Sequence, residues 1–532
     1  MATVQSSVAE TTVESSALKP FKNEPFTDFS RHENARAMRE ALDKVQRLLG
    51  HEYDNVIGGH RVKTEAKLQS INPSHPEQVV GRFQKAGAGD VPAAMDAALK
   101  AFESWRLTPV QERAELLFRV AHTIRERKFE WEAWLVFEAG KNWAEADADV
   151  GETIDFAEFY AREALRLDKA EPAIQLAGER DELRYIPLGV GAVIPPWNFP
   201  SAIMAGMTLA AIVSGNTVVL KPSGDAMTIA ARFFQVLEEC GMPDGVVNFV
   251  TGGGSSFGNE LVKHPKTRFI AFTGSKEVGL HIHELAAKVQ PGQMWIKRTI
   301  LEMGGKDAIV VDAESDLDEA VTGVVASAFG YSGQKCSACS RAIVDERVYD
   351  KFVERLKDRT EKLTVGAAEE NPNLGPVINE AARKSILGFV EQALQEGGRL
   401  ITGGHAVEGK EGFLIEPTII SEVKPGSTLE QKEVFGPVLA LIRCKDFDDG
   451  LRIANDTEFG LTGSVYTTSE ERMKLARQEF HTGNLYINRK CTGAMVGAHP
   501  FGGFNMSGTD SKAGGSDYLL LFTQAKSIAR KL

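Results

Sequence analysis

The sequence predicts an α/β protein in which strands and helices alternate along more than one domain. The chain has 532 residues, which is too many for one ordinary hydrophobic core. After Arg184, short uncharged runs such as GVGAVIPP and TVVLKPS alternate with helical segments such as SAIMAGMTLAAIVS. This alternation is typical of right-handed βαβ units, and strands without charges indicate parallel sheets that are buried on both faces.

The stretches on either side of this pattern have a different character. The start, MATVQSSVAETTVESS, has no basic residue and no apolar run, so it fits neither a signal nor a transit peptide, and we interpret residues 1–35 as a flexible lead-in. Helical patterning dominates from about Glu33 to Leu167. A second α/β pattern begins at Thr299 and runs past GNLYINR. The run YLLLFTQAKSIARKL favours a strand donated to a neighbouring subunit, with docking on the chain's own core as the alternative.

The composition argues against several classes of protein. A net charge of −12 without a long basic block argues against nucleic acid as a partner. Five cysteines are too few for a disulfide scaffold and favour a reducing compartment. The charge-free stretch from Tyr185 to Leu220 is interrupted by prolines, and its helical part, Ser201 to Ser214, is too short to cross a bilayer. We therefore expect a cytoplasmic protein with no membrane span.

Two cysteines, Cys336 and Cys339, lie in the stretch FGYSGQKCSACSRAIV and leave three interpretations open. A zinc site needs a second ligand pair, and because the other cysteines stand alone we expect no metal. A redox pair normally opens a helix directly after an early strand. Two buried structural cysteines are the default for this residue type. Small and polar neighbours, including Lys335 and Ser337, make Cys336 accessible and favour a single nucleophile, with Cys339 as a small residue beside it.

Two further residues could complete a catalytic site. Asn198, in PWNFP, follows a buried strand, and its amide either ties down a turn or acts as an oxyanion donor held rigid by the flanking prolines and rings. Glu302, in LEMGGKD, precedes two glycines. It is either an exposed turn residue or a base that the missing side chains leave accessible.

Six short motifs, in this order, resemble those of the aldehyde dehydrogenase superfamily over nearly the whole chain. They are PWNFP at 196–200, KPS at 221–223, FTGSKEVG at 272–279, LEMGGK at 301–306, GQKCSA at 333–338 and EVFGPV at 433–438. The resemblance implies a Rossmann-type cofactor domain, an α/β catalytic domain and a small oligomerisation flap. On this basis the cofactor domain is expected at 36–170 and 187–300, the catalytic domain at 301–495, and the oligomerisation segments at 171–186 and 510–532.

The resemblance implies NAD as the cofactor, although the chain lacks the GxGxxG fingerprint of ordinary Rossmann domains. The implied cofactor-binding residues are Ile194, Pro195, Trp197, Lys221, Ser223, Gly274, Ser275, Gly279, Glu433 and Phe435. Among them, Ser275 would start the helix that holds the pyrophosphate, Lys221 would bind the adenosine ribose and Glu433 the nicotinamide ribose. Two positions depart from the family pattern: Lys276 stands where many members have Thr, and Gly224 where NAD-strict members carry Glu. With no carboxylate to repel a 2′-phosphate, the resemblance leaves room for NADP as well.

The stretch NRKCTGAMVGAHPFGG at 488–503 resembles the glutamate-γ-semialdehyde branch of the superfamily. In that branch a serine after the nucleophile and the amides of a glycine-containing loop hold the substrate's α-carboxylate, while two aromatic rings flank its aliphatic chain. The residues so implied are Phe199, Ser337, Gly493, Ala494 and Phe501. Glu152 is a further candidate, for the substrate ammonium, and the alternative for it is an ordinary charge on a helix surface.

The implied activity is oxidation of L-glutamate γ-semialdehyde, which forms from 1-pyrroline-5-carboxylate, to L-glutamate in proline catabolism. Cys336 would attack the aldehyde, Asn198 would stabilise the oxyanion, and Glu302 would activate the water that hydrolyses the thioester. The implied partners are further copies of the chain, in a dimer or dimer-based assembly, and a proline dehydrogenase that channels its product. The alternatives are a non-phosphorylating enzyme for another aldehyde such as succinic semialdehyde, a CoA-acylating member, and an inactive relative with a binding or structural role.

Overall fold

The computed structural model describes residues 18–532 as two α/β units, each built around a seven-stranded sheet. The helices are α1 (His32–Gln46), α2 (Val91–Trp105), α3 (Val110–Glu126), α4 (Lys128–Ala139), α5 (Trp143–Leu167), α6 (Ala202–Val213), α7 (Met227–Glu239), α8 (Asn259–Lys263), α9 (Lys276–Ala287), α10 (Leu317–Phe329), α11 (Tyr349–Thr360), α12 (Glu380–Gln395), α13 (Thr428–Gln431), α14 (Phe447–Asn455) and α15 (Glu470–Glu479). The strands are β1 (His51–Tyr53), β2 (Asn55–Ile57), β3 (His60–Val62), β4 (Lys67–Asn72), β5 (His75–Gln84), β6 (Glu179–Pro187), β7 (Val190–Ile194), β8 (Thr217–Leu220), β9 (Val247–Phe249), β10 (Thr267–Thr273), β11 (Arg298–Glu302), β12 (Ala308–Val311), β13 (Arg341–Asp345), β14 (Arg399–Thr402), β15 (Thr418–Ser421), β16 (Val438–Cys444), β17 (Phe459–Gly460), β18 (Thr462–Tyr466), β19 (Asn484–Ile487), β20 (Phe504–Asn505) and β21 (Thr523–Lys531). The α/β alternation expected after Arg184 is confirmed.

The first sheet has the strand order β11-β10-β7-β8-β9-β2-β3. Its strands β7 to β11 run parallel, and the hairpin of β2 and β3 extends one edge in antiparallel fashion. Because β7 lies between β8 and β10, the winding of the chain reverses between β7 and β10. Open α/β sheets bind ligands beyond the carboxyl ends of their strands at such a point. A ligand site is therefore expected just after Ile194 and Thr273, where these two strands end.

The charge-free helix expected at Ser201–Ser214 is α6, and it lies in the core of the first unit. All of its side chains except Ile203 are buried, which explains why the sequence puts no charge on any face of it. Within residues 18–532 no helix combines the length and the apolar character needed to span a bilayer.

The second sheet has the order β14-β15-β16-β13-β12-β18-β19 and is parallel except for β14. Apolar clusters cover both of its faces. The loop that contains Cys336 joins α10 to β13, whereas Glu302 ends β11 in the first sheet. The expected domain boundary between residues 300 and 301 therefore falls inside a strand, and the two candidate catalytic residues come from different units.

Residues 51–84 form five strands, which corrects the helical interpretation of the stretch from Glu33 to Leu167. Strands β1, β5 and β4 make a small sheet of their own, and β2 and β3 join the first sheet. The β2–β3 hairpin turns at Gly58 and Gly59, with φ of 59° and 80°, as a two-residue turn between antiparallel strands requires. Strands β1, β2 and β3 have three residues each and are too short to show an alternating pattern, so the sequence pattern missed these three.

Residues 18–31 lie against α5. Phe21 packs edge-on against Phe159, with ring centroids 5.2 Å apart, and Asn23 Nδ2 donates a hydrogen bond to the Asp155 carboxylate at 2.7 Å. Helix α1 then begins at His32. This packing differs from the flexible lead-in expected over residues 1–35, and residues 1–17 of that expectation lie outside the described residues.

The run YLLLFTQAKSIARKL divides into two parts. Tyr518, Leu519 and Phe522 are buried in the core of the first unit, and strand β21 pairs with β6 along its full nine residues. The apolar part therefore docks on the chain's own core, which is the alternative to the donated strand that the sequence favoured. Most side chains of β21 remain exposed. The oligomerisation role of this ribbon stays a prediction.

Candidate active site

A cavity of about 620 Å³ lies at the carboxyl edge of the first sheet, where β7 and β10 end. Its wall extends to the loops of the second unit that contain Cys336 and Glu433. The sequence-predicted residues that line it are Ile194, Pro195, Trp197, Asn198, Lys221, Ser223, Gly274, Ser275, Cys336, Glu433 and Phe435. The structure thus gathers the candidate nucleophile and most of the expected cofactor residues around one space.

The groups that line this cavity suit a dinucleotide. Helix α9 begins after Ser275, whose hydroxyl accepts from one amide of the first turn, and the helix N-terminus favours an anion. The buried Lys221 ammonium donates to the Pro222 carbonyl at 3.1 Å, and burial lowers its pKa to about 8. Two of its three donors are then left for the hydroxyls of a ribose. The rings of Trp197 and Phe435 meet edge to face, 5.5 Å apart, and give the cavity an aromatic wall. NAD therefore fits the residues present.

Gly279 and Lys276 of the FTGSKEVG motif do not line the cavity. Gly279 lies one turn into α9, where an added Cβ would come within 2.4 Å of the Met303 sulfur. Met303 is part of the cavity wall, so a glycine at 279 allows α9 to pack against that wall. Lys276, the departure from the usual Thr, donates to Glu458 at 2.7 Å and so neutralises a carboxylate of the second unit.

A left-handed turn presents Cys336. Tyr331 and Ser332 have φ of 52° and 53°, and Gly333 follows at 69°. A side chain other than glycine adopts this region at a cost of roughly 1–2 kcal/mol per residue. The Tyr331 hydroxyl donates to the carbonyl of Ala139, at the end of α4, and the Ser332 hydroxyl donates to the Gly375 carbonyl, both at 2.7 Å, and these bonds hold the turn in place. The nucleophile therefore sits on a segment whose backbone is fixed from both sides.

The amide of Asn198 reaches the same loop. Its Nδ2 donates to the carbonyl of Gln334 at 3.1 Å, and both side chains are buried. Gln334 is fixed in turn, because its side chain donates to the Pro376 carbonyl at 3.2 Å and accepts from the Ile378 amide at 2.9 Å. Asn198 therefore lies beside the nucleophile on a rigid support, and the second N–H of its amide remains for another acceptor.

The Cys336 thiol lies in a partly buried, acidic environment. Burial and the carboxylates of Asp307 and Glu433 raise the pKa of this thiol well above its ordinary value. The resting residue is therefore the neutral thiol, and it must lose its proton before it can act as a nucleophile.

Cys339 is a buried neighbour of the nucleophile. It is 1% exposed, and its Sγ donates to the Arg341 carbonyl at 3.4 Å. All five cysteines are free, and over residues 18–532 no three His, Cys, Asp or Glu side chains form a group that could hold a metal ion. Of the three interpretations of this cysteine pair, the geometry favours a single nucleophile with a structural neighbour.

Glu302 ends β11 and turns its carboxylate into a niche formed by residues 502–511. Oε1 accepts from the Ser511 hydroxyl at 2.5 Å, and Oε2 accepts from the Gly503 amide at 3.3 Å. A Cβ added at Gly502 or Gly508 would lie within 3.2 Å of the carboxylate, so glycine at both positions leaves room for it. Burial outweighs the hydrogen bonds and raises the pKa of Glu302 to about 7, which suits a general base near neutral pH.

Three of the expected substrate residues lie in two loops that are joined next to the nucleophile. The carbonyl of Ser337 accepts a hydrogen bond from Cys491 Sγ at 3.3 Å, which connects the loop of the nucleophile to the loop containing Gly493 and Ala494. Gly493 has φ of 79°, a conformation that glycine adopts at no steric cost. Neither Ser337 nor this loop lines the cofactor cavity, so they belong to a different side of Cys336.

The two aromatic residues expected along the substrate have different settings. Phe199 follows Asn198, and the buried ammonium of Lys141 lies 3.7 Å from the centre of its ring. Phe501 pairs through its backbone with Ala513, in the segment that also provides the niche of Glu302. Both roles stay predictions.

Glu152, on α5, is half-buried and lies near several charges. Burial and the Asp149 carboxylate raise its pKa to about 8, while the Lys141 ammonium acts in the opposite direction. Glu152 is thus not a fully exposed charge on the helix surface, and its role in binding the substrate ammonium stays a prediction. A cation placed next to this carboxyl would stabilise its ionised form, which suits a role in binding an ammonium.

The match to known families decides the identity of the fold. Over residues 61–528 the chain matches the model of the aldehyde dehydrogenase family. The chain belongs to this family. The superfamily resemblance carried by the six motifs is confirmed, and so is the α/β fold that it implied.

Relatives of this aldehyde dehydrogenase match it along nearly its whole length. A 1-pyrroline-5-carboxylate dehydrogenase of Geobacillus thermodenitrificans is 54% identical over 96% of this chain and 99% of its own length. The crystal structure of the Thermus 1-pyrroline-5-carboxylate dehydrogenase with bound NAD is 50% identical at a TM-score of 0.95, and the match covers 97% of this chain and 100% of that one. Proline utilization A of Bdellovibrio bacteriovorus is 44% identical at a TM-score of 0.94, over 96% of this chain and 53% of that one.

Sequence reasoning missed three residues of this aldehyde dehydrogenase site: Gln334, Ser511 and Lys141. Gln334 lies inside the GQKCSA motif, two residues before Cys336, and this position could have indicated that it supports the nucleophile. Ser511 is 209 positions away from Glu302, whose carboxylate it contacts, and no feature of the stretch TDSKAGG indicates this contact. Lys141 is buried beside Asp149, with Nζ 3.2 Å from the carboxylate, and a sequence cannot show that a lysine is buried.

Proposed function

We propose that the protein oxidises L-glutamate γ-semialdehyde, which forms from 1-pyrroline-5-carboxylate, to L-glutamate with NAD as the electron acceptor. The observation that carries this proposal is the 54% identity, along almost the whole of both chains, to a relative named 1-pyrroline-5-carboxylate dehydrogenase. The site agrees with the chemistry, because Cys336 and the amide of Asn198 line a cavity that fits NAD, and the buried carboxyl of Glu302 is near enough to help raise the pKa of the Cys336 thiol.

In the first half of the reaction, Cys336 releases its proton to solvent water, and its sulfur forms a bond to the aldehyde carbon. The carbonyl oxygen becomes an oxyanion, which can accept from the free N–H of the Asn198 amide and from the Cys336 backbone amide. Such donors typically contribute about 3 kcal/mol each to the transition state. Bound NAD supplies the acceptor for the hydride that leaves the former aldehyde carbon. The product of this half is a thioester on Cys336.

In the second half, Glu302 takes a proton from a water molecule, and the resulting hydroxide attacks the thioester carbon. The carbon–sulfur bond breaks, L-glutamate is released and Cys336 is restored. The buried position of Glu302 and its pKa of about 7 allow it to accept this proton near neutral pH and to release it before the next turnover.

A substrate panel tests the proposal. We expect kcat/KM for L-glutamate γ-semialdehyde to exceed that for succinic semialdehyde by at least about a hundredfold, because a site built for an α-carboxylate and an ammonium leaves buried polar groups unpaired when the ammonium is missing. L-Glutamate should inhibit competitively against the aldehyde, because it keeps both charged groups. The measurement is NADH formation at 340 nm with each aldehyde, with and without L-glutamate.

The alternatives give different results in the same assay. Comparable kcat/KM values for the two semialdehydes would leave an aldehyde dehydrogenase of another specificity. A requirement for coenzyme A would indicate an acylating enzyme, and no NADH with any aldehyde would indicate an inactive relative. Each of these results would contradict the proposed function.

Gly224 provides a test of cofactor choice. It lines the cavity beside Ser223, and a side chain added there would enter open space. We expect Gly224→Glu to lower kcat/KM for NADP roughly ten- to a hundredfold, because the new carboxylate repels a 2′-phosphate, while NAD is little affected. Gly224→Gln is the matched control, since it has the same size without the charge. Equal losses with both cofactors in the Glu variant would show that position 224 does not discriminate between them.

We also propose that the chain works in the cytoplasm as a dimer or dimer-based assembly, using the exposed ribbon of β6 and β21. The supply of substrate requires an enzyme that oxidises proline, and a proline dehydrogenase is the proposed partner. The relative named proline utilization A supports this proposal. This chain matches only 53% of that longer protein, which therefore joins a counterpart of this chain to a further part that this chain lacks. Sedimentation of the wild type against a chain shortened before Thr523 would test the role of the ribbon.

A further inference from the structure

The carboxylate of Glu302 is contacted by one side chain that the proposed mechanism does not use. Ser511, 3% exposed, places its Oγ 2.5 Å from Glu302 Oε1. Within residues 18–532, Ser511 is the only residue whose side chain donates a hydrogen bond to this carboxylate. The backbone amide of Gly503 donates to the other carboxylate oxygen at 3.3 Å. A bond this short between a hydroxyl and a carboxylate is typical of a charge-assisted hydrogen bond.

The hydroxyl of Ser511 is not needed to attach its loop to β11. The Met303 amide donates to the Ser507 carbonyl at 2.7 Å, and the Leu301 amide donates to the Thr509 hydroxyl at 3.0 Å. Lys512 Nζ adds bonds to two backbone carbonyls, at 2.8 and 2.9 Å. These contacts fix the backbone on either side of Ser511. Its hydroxyl therefore acts on the carboxylate alone.

We propose that Ser511 is a positioning residue for the general base: its hydroxyl holds the Glu302 carboxylate in the ionised form and in the orientation from which it takes a proton from water. This inference rests on the proposed function, because it concerns the thioester hydrolysis step. It makes Ser511 necessary for the second half of the reaction and not for the first. Attack by Cys336 and hydride loss do not use the Glu302–Ser511 bond.

The inference has a signature in the pH dependence. A hydrogen bond that stabilises the charged form of a carboxyl lowers its pKa, so its loss raises the pKa. The base then becomes ionised only at higher pH. In Ser511→Ala the acid limb of steady-state kcat should therefore move up by about one pH unit. The NADH formed in the first turnover, before the steady state, is the burst. Its amplitude should equal that of the wild type, because it depends only on attack by Cys336 and loss of the hydride.

The experiment compares four proteins: wild type, Ser511→Ala, Ser511→Cys and Thr509→Val. Cysteine keeps the size of serine but is a weaker donor, so Ser511→Cys should show an intermediate shift. Thr509→Val is the matched control, because the Thr509 hydroxyl bonds the backbone of β11 and not the carboxylate. It should lower the melting temperature and leave the acid limb in place. Burst amplitude, steady-state kcat from pH 5.5 to 9 and thermal unfolding are recorded for each.

Either of two results would overturn the inference. One is an acid limb that is unchanged in both Ser511 variants. The other is an equal shift in Thr509→Val, which would indicate a general effect of loosening the loop. The four proteins are assayed with L-glutamate γ-semialdehyde and with a simple aliphatic aldehyde. A wild type that oxidises only the aliphatic aldehyde would contradict the proposed substrate, yet the Ser511 comparison would still be decided with that aldehyde, because both reactions pass through thioester hydrolysis.

Discussion

Cys336→Ala should form no measurable NADH with any aldehyde, a loss on the order of 10⁶-fold, because no other group of the site can form the thioester. The substitution removes a single sulfur from the edge of the cavity, and the rest of the cavity wall is untouched. We therefore expect NAD to bind with unchanged affinity, as measured by calorimetry, and the melting temperature to stay close to that of the wild type.

Cys339→Ala is the control for this experiment. Cys339 is buried, and its Sγ contacts a backbone carbonyl instead of the cavity. We expect this variant to lose some thermal stability and to keep most of its activity. An inactive Cys339→Ala enzyme together with an active Cys336→Ala enzyme would show that Cys339, and not Cys336, is the nucleophile.

Glu302→Gln should separate the two halves of the reaction. Glutamine has nearly the same size and can still accept from the Ser511 hydroxyl, so the niche stays intact, but an amide cannot take a proton from water. We expect a stoichiometric burst of NADH followed by a steady state about 10²–10⁴-fold slower than in the wild type. Intact-mass spectrometry of the slow phase should find an acyl group on Cys336.

The wild type adds a pH test of the same role. Because burial raises the pKa of Glu302 to about 7, the carboxyl is ionised above that pH and neutral below it. Steady-state kcat should therefore fall as the pH drops below about 7, and Glu302→Gln should lack this limb. If Glu302→Gln gives no burst, with Cys336 unmodified after long incubation with aldehyde and NAD, then Glu302 acts before hydride loss and the hydrolytic role is wrong.

The sequence located the groups that lie inside contiguous motifs. Asn198 in PWNFP and Lys221 in KPS each follow a buried strand of the first sheet, and the parallel topology brings the carboxyl ends of such strands together. Their positions at one cavity could therefore be predicted. Cys336 precedes a strand of the second sheet, so its place at the cavity followed only from the resemblance of GQKCSA to the family motif. The same reasoning predicted α6 correctly, because a helix without charges has no solvent face.

The features that the sequence did not reveal depend on contacts between distant segments. Local backbone preferences argue against the left-handed turn at Tyr331 and Ser332, and it is held by carbonyls at the end of α4 and in a separate loop. The niche of Glu302 depends on Ser511, far along the chain. The strands between residues 51 and 84 pair with one another and with β9, and three of the five have only three residues, which is too short to show an alternating pattern. Tertiary contacts decide all three.

The ribbon of β6 and β21 can form only late during synthesis of the protein. Glu179 pairs with Lys531 and Pro187 with Thr523, so most of the polypeptide must leave the ribosome before β6 finds its partner. The core of the first unit also cannot be completed before this point, because the buried Asn216 side chain donates to the Phe522 carbonyl at 2.9 Å. During translation β6 is an unpaired edge, which is a template for association with other nascent chains. Its many charges, in the run ERDELR, oppose such association until residues 523–531 are made and pair with it.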